Sequence, residues 1–191
     1  PALHANGPLD LIINISNSPF TLGKNNKRNR VFSKEAKETG VPLIYVNTVG
    51  LQNNGKTVYT FDGLSTLYNK NGQIVACCPP FEPALNIVDL DIASGGEMLP
   101  AIQVPEDTGT DSICDTLIYG VKKFLGNLAM TTVVVGASGG IDSAVTAALY
   151  AHILGPDNVL LINMPSKYNS RTTKDLAESL AKNLGCLYAV M

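Results

Sequence analysis

"TTVVVGASGGIDSAVTAALY", Thr131–Tyr150, is the stretch on which the reading of this chain turns. An apolar, β-branched run stops at Gly136, two adjacent glycines follow at Gly139 and Gly140, and Asp142 introduces a segment of small residues. The pattern is strand, tight turn, helix. "TTVVVG" shows no polar alternation after Thr132, so this strand is expected to be covered on both faces. "DSAVTAALYAHILG" reads as a helix stopped by Gly155-Pro156. Working outward, "NVLLINMP" is a second buried strand and "CLYAVM" a third. Between them, "SRTTKDLAESLAKNLG" has Leu176, Ala177, Leu180 and Leu184 at helical spacing. Upstream, "SICDTLIYGVKKFLG" reads as a helix with Ile113, Leu117, Val121 and Phe124 along one side. Strand and helix alternating at this spacing predict an α/β architecture, a parallel sheet with right-handed crossovers. Such a sheet should extend past three strands, and the first residue is Pro1, so the sequence is expected to be a piece of something longer.

The first part has a different rhythm. "DLIINIS" is a short buried strand, broken by "SNSPF". "GKNNKRNRVFSKEAKETG" reads as a helix ending at Gly40. "VPLIYVNTVG" is a strand, and "TVYTFDGLSTLYNKNGQIVACC" places a hairpin turn at Asn71-Gly72. "NIVDLDI" alternates and reads as a last strand. The order β-α-β-β-β-β predicts a mixed sheet. The organisation expected is a first domain over 1–92, a linker over 93–111 ("ASGGEMLPAIQVPEDTGTD"), and a second domain over 112–191.

Composition bounds the function. The 191 residues are 45% hydrophobic and 16% charged, with net charge −2, which favours neither nucleic acid nor membrane surfaces as partners. No apolar run approaches the roughly 20 residues needed to cross a bilayer. Cys77, Cys78, Cys114 and Cys186 form no CxxC, and His4 and His152 are the only histidines, which disfavours zinc. The thiols read as buried small hydrophobes in a reduced, cytoplasmic protein. Lys24, Lys27, Arg28, Arg30, Lys34 and Lys37 read as a solvated helix face, and His152 reads as structural.

Phosphate binding at a strand-to-helix turn needs close backbone approach and free N–H groups. "GASGGIDS" offers both, with hydroxyls at Ser138 and Ser143. It is not GxxxxGK[ST], since Ile141 follows Gly140, nor GxGxxG, since the glycines fall at 136, 139 and 140. A carboxylate in such a loop repels phosphate unless a divalent cation lies between them. Asp142 is therefore a candidate Mg²⁺ ligand in a site for ATP. The residues alone leave a second reading open, in which Asp142 merely caps the helix.

"SGGIDS", Ser138–Ser143, resembles the SGGxDS signature of the ATP pyrophosphatases, in which it grips the pyrophosphate of ATP. "GASGGIDSAVTAALYAHILG", "INMPSKYNS" and "DLAESLAKNLG" are similar to the NAD synthetase branch, and Met164–Ser170 to its glutamine-dependent members. "LIINISNSPFTLGKNNKR", "VPLIYVNTVGLQN" and "FDGLSTLYNKNGQIV" resemble the later half of a nitrilase-type amidohydrolase domain. The resemblance implies the end of a nitrilase-like α-β-β-α sandwich followed by the start of a PP-loop (adenine-nucleotide α-hydrolase-like) domain. It implies glutamine-fed, ATP-dependent amidation of deamido-NAD to NAD through an adenylated intermediate, in a homo-oligomer. Gly136, Ala137, Ser138, Gly139, Gly140, Ile141, Asp142, Ser143 and Met164 would meet ATP, with Asp142 on Mg²⁺. Lys167, Tyr168 and Arg171 are candidate nucleotide contacts, though a solvated helix entry explains them equally. Ser16 and Ser18 would lie in a turn near the glutamine pocket, and turn chemistry before Pro19 also accounts for them. Lys24 reads as a surface or subunit-contact residue. The family's Glu-Lys-Cys triad is expected before Pro1, and none of the four cysteines stands where its nucleophile would. Rival readings are a GMP synthetase-like amidotransferase, a tRNA thiolase and an inactive nucleotide-binding module.

Overall fold

The computed structural model of the chain describes residues 7–104, 106, 109–165 and 171–191, without the side chains of 171–174. Its contacts fall into two compact units, Pro1–Gly120 and Val121–Met191.

The first unit contains β1 (Ile12–Ser16), α1 (Lys24–Thr39), β2 (Leu43–Asn47), β3 (Val49–Asn53), β4 (Val58–Asp62), β5 (Thr66–Tyr68) and β6 (Ile74–Cys77). The main sheet has the order β1-β2-β5-β6. β1 and β2 are parallel, and the other pairs are antiparallel. β3 and β4 form a separate antiparallel ribbon. Helix α1 ends where Gly40 adopts a left-handed conformation (φ 66°) and its N–H reaches the Ala36 carbonyl. Ala36 and Phe32 pack on Leu43, Tyr45 and Tyr68, with the Phe32 and Tyr45 rings stacked at 4.9 Å. The β5–β6 hairpin turns through Asn71-Gly72 as the sequence predicts, and Gly72 (φ 78°) takes the left-handed geometry such a turn demands.

Three expectations change here. "VPLIYVNTVG" is two strands, because the chain leaves the main sheet at Thr48 and enters the ribbon. "TVYTFDGLSTLY" likewise splits into β4 and β5. "NIVDLDI" forms no strand, and Ile87 is 87% exposed. Alternation sorts side chains between two faces but supplies no edge to pair with. The outer edge of β6 is met instead by Ile102, whose N–H donates to the Ile74 carbonyl at 2.8 Å.

Helix α2 (Gly109–Asn127) runs across the boundary between the units. Its expected stripe is not the buried one: Ile113, Leu117 and Phe124 are exposed, and Thr116, Gly120 and Leu125 are buried. Close approach explains this within the first unit. A Cβ at Gly120 would lie 2.8 Å from Thr60 Oγ1, so the small-residue face is the one that fits against the ribbon.

The second unit continues with β7 (Val133–Gly136), α3 (Ile141–Leu154), a 3₁₀ turn (Pro156–Asn158), β8 (Val159–Asn163), α4 (Arg171–Leu184) and β9 (Leu187–Val190). The strands are all parallel in the order β7-β8-β9, as the alternation predicts. Val135, Val159 and Leu161 meet Ala147 of α3 and Ala177 and Ala181 of α4 in one core. The alanines let both helices sit close on the same face of the sheet. The opposite face carries Val134 (64% exposed) and Leu187 (54% exposed). The expectation that β7 is covered on both faces therefore fails among the described residues. An unbroken apolar run shows that both faces tolerate burial, not that a layer lies on each.

Candidate functional site

The turn from β7 into α3 lies at the carboxyl end of a parallel strand, the usual ligand-binding end of such sheets. Ala137 is buried and its N–H donates to the Ile162 carbonyl at 2.8 Å, tying the start of the turn to β8. Gly139 then takes φ 81°, a left-handed geometry that favours glycine. Gly140 caps the helix with extended backbone, and no side chain caps it. The first intrahelical bond runs from Ala144 N–H to the Gly140 carbonyl at 3.2 Å. The N–H groups of Ile141, Asp142 and Ser143 therefore have no intrahelical acceptor. At Gly136 an added Cβ would lie 3.7 Å from Met164 Cε, so Met164, just beyond β8, flanks the loop.

Two hydroxyls brace the turn. Ser143 Oγ donates to the Gly140 carbonyl (3.0 Å) and accepts from the Ser138 N–H (3.3 Å). The hydroxyls of Ser138 and Ser143 lie 3.1 Å apart, and Gly140 N–H donates to Ser138 Oγ at 3.3 Å. Asp142 is exposed, and among the described residues its carboxylate has no hydrogen bond or ion pair. The structure thus gives no support to the capping reading of Asp142. The helix dipole favours a negative group at this end, and free N–H groups at a helix start suit an anionic ligand. Lys167 and Tyr168 lie outside the described residues; Arg171 opens α4, and its side chain is not described.

A second polar cluster, in the first unit, escapes sequence reading. Arg28 (8% exposed) donates to both oxygens of Asp62 (1% exposed) at 2.9 and 2.7 Å, and to the Tyr45 phenol at 3.2 Å. This corrects the reading of Arg28 as part of a solvated basic face. Asn25, Arg28, Phe32 and Ala36 follow one helical stripe, and that spacing was the signal available. Asn47 Nδ2 donates to Asp62 Oδ1 (3.3 Å), to the Gly63 carbonyl (3.0 Å) and to the Ser18 carbonyl (3.1 Å). Its Oδ1 accepts from Ser18 N–H at 2.8 Å. Burial pushes the Tyr45 phenol up from its ordinary value, against the opposing effects of the Arg28 charge and a Ser18 hydrogen bond. Ser16 Oγ donates to Asn14 Oδ1 at 2.6 Å. Lys24 is partly buried and donates to the Pro19 carbonyl at 2.9 Å.

All four cysteines are free thiols. Cys77 and Cys186 are pushed up by burial, which makes them poor nucleophiles. Cys114 is exposed, against the expectation that all four are buried. Among the described residues no helix is long and apolar enough to cross a membrane.

Residues 113–191 match the model of the NAD synthase family. Over 180 residues the chain is 38% identical to the glutamine-dependent NAD(+) synthetase of Synechocystis sp., covering 93% of this chain and 31% of that protein. Residues 113–191 thus carry the sequence pattern of the NAD synthase family. The glutamine-dependent NAD(+) synthetase of Rhodobacter capsulatus is 36% identical over 169 residues, covering 88% of this chain and 30% of that one. The chain thus spans about a third of the length of these curated relatives. Among solved structures, the glutamine-dependent NAD+ synthetase of Acinetobacter baumannii, in complex with adenosine diphosphate, superposes with a TM-score of 0.82 at 28% identity. That match covers 95% of this chain and 34% of that one. The Cytophaga hutchinsonii enzyme, at 15% identity and a TM-score of 0.69, shows the shared fold alone. The mixed α/β architecture of this chain therefore matches that of glutamine-dependent NAD synthetases.

Proposed function

We propose that this chain is the part of a carbon–nitrogen ligase that brings the late portion of a nitrilase-like glutaminase together with the ATP site of the synthetase. The reaction is amidation of deamido-NAD to NAD. ATP adenylates the nicotinate carboxylate and releases pyrophosphate; ammonia from glutamine then displaces AMP. A carboxylate is a poor acyl donor until one of its oxygens becomes a good leaving group, and adenylation supplies that. The single observation that carries the reading is the 136–143 turn, whose first helical N–H groups and Asp142 carboxylate have no partner among the described residues.

The backbone N–H groups of residues 141–143 would hold and orient pyrophosphate oxygens as charge develops on them. The braces made by Ser138 and Ser143 keep those donors fixed beforehand. Met164 would line the nucleotide beside Gly136, with Lys167, Tyr168 and Arg171 as further contacts. Among the described residues no group of three or more His, Cys, Asp or Glu side chains could hold a metal. A lone exposed carboxylate fits Mg²⁺, which keeps waters and takes one or two carboxylates with phosphate oxygens. Asp142 would hold that ion, and when bound it offsets phosphate charge. In the first unit, the turn holding Ser16 and Ser18 would border the glutamine pocket.

The test is Asp142→Asn in the intact protein. AMP formation from ATP and deamido-NAD should be abolished and glutamine hydrolysis retained. Normal NAD formation by the variant would refute the assignment.

A further inference from the structure

We propose that Asn47, anchored by the buried Arg28–Asp62 pair, is a positioning residue that sets the Ser16–Pro19 turn for recognition of an α-amino acid amide. The inference deepens the function proposed above and rests on it.

One side chain takes both main-chain polar groups of Ser18. Asn47 Oδ1 accepts its N–H and Nδ2 donates to its carbonyl. A turn of this length can usually satisfy itself, and a Pro at its end fixes one dihedral. Here its position is dictated from the next strand instead. Asn47 is itself held at three further points: its own N–H donates to Ser65 Oγ (3.0 Å), and its amide reaches Gly63 O and Asp62 Oδ1. Asp62 is in turn fixed by the two-pronged bond from Arg28, which also donates to Tyr45. The Arg28–Tyr45 bond brings the contacts back to β2, where Asn47 lies, and closes a ring. The ring joins the β1–α1 turn, α1, β2 and the end of β4, residues far apart in sequence.

Location gives the ring its meaning. The Ser16–Pro19 turn leaves the carboxyl end of β1, and Asn47 sits at the carboxyl end of β2, the parallel neighbour registered with it (Ser16↔Asn47). That end of a parallel pair is where α/β sheets bind ligands. A buried ion pair is weak evidence for stability, since well-packed apolar side chains serve as well. What the polar ring supplies, and an apolar cluster would not, is a fixed direction for every donor and acceptor in the turn.

The experiment uses the intact protein, wild type and the variants Asn47→Ala and Tyr45→Phe. NAD formation is measured with glutamine and, separately, with ammonium chloride as nitrogen donor. For Asn47→Ala the KM for glutamine should rise about tenfold, with ammonium-supported kcat and KM unchanged. Tyr45→Phe keeps the ring packing and should raise the glutamine KM roughly two- to threefold by loosening Arg28. A loss shared equally by both donors, or an unshifted glutamine KM, would overturn the inference. If Asn47→Ala does not fold, Tyr45→Phe alone decides. A wild-type protein that makes NAD with neither donor fails the functional reading and this inference with it. A wild type that uses glutamine while both variants match it fails this inference alone.

Discussion

Replacing Arg28 with leucine should unfold the first unit far more readily than its place in a lysine- and arginine-rich helix suggests. Asp62 is 1% exposed and would lose two charge-assisted bonds of 2.9 and 2.7 Å. Leucine supplies no donor in place of the guanidinium, and the Asn47 amide meets Asp62 only at 3.3 Å. Breaking a buried pair on one side costs about 3–5 kcal/mol. That is a large share of the roughly 5–15 kcal/mol by which a domain is stable. The double variant Arg28→Met/Asp62→Leu removes the buried charge as well and should recover most of the loss, ending within about 2 kcal/mol of wild type. The assay is urea unfolding of the intact protein, followed by tyrosine near-ultraviolet circular dichroism and, for location, by amide exchange in β2 and β4. The midpoint should fall in the single variant with the slope unchanged. A single variant within about 1 kcal/mol of wild type, or a double variant worse than the single, would refute the argument that the pair is mutually dependent.

Gly139→Ala forces a side chain into φ 81° and costs about 1–2 kcal/mol. It should weaken binding of a non-hydrolysable ATP analogue by roughly tenfold in equilibrium dialysis, whereas unchanged binding would show that the turn does not have to hold that geometry. The phenols of Tyr45 and Tyr68 are both raised, chiefly by burial, Tyr68 strongly so. Below the ordinary phenol value both states carry the proton, so that contribution to stability is fully present. Above about pH 10 the unfolded chain releases protons that the folded one keeps, and stability falls as pH rises. Urea midpoints should therefore decline steeply above pH 10, less so in Tyr68→Phe; a flat profile to pH 11 would contradict the burial of both rings.

The second unit was legible because each of its elements is a local statement. Strand runs, glycine stops and alanine-rich helices repeat within 15 or so residues, and the Gly139-Gly140-Asp142 turn announces itself without any distant partner. The first unit was harder to read. Arg28 sits among five other cations, and its partner Asp62 lies 34 residues away, beyond any periodicity. The break at Thr48 is decided by which sheet edges are free, not by propensity. The α2 stripe misled for a related reason: hydrophobicity marks Ile113, Leu117 and Phe124, but close approach to Thr60 selects Gly120. Asn47's clamp on Ser18 is invisible in sequence, since an asparagine ending a strand looks like any turn former.

The exposed apolar side of the β7-β8-β9 sheet has a practical consequence for anyone cutting this chain apart. Residues 121–191 expressed by themselves would carry Val134, Leu160 and Leu187 as a greasy strip across three strands. In dilute buffer such a strip invites clumping and dye uptake, and swapping one of the two valine or leucine extremes for threonine or lysine is the first remedy a biochemist should reach for.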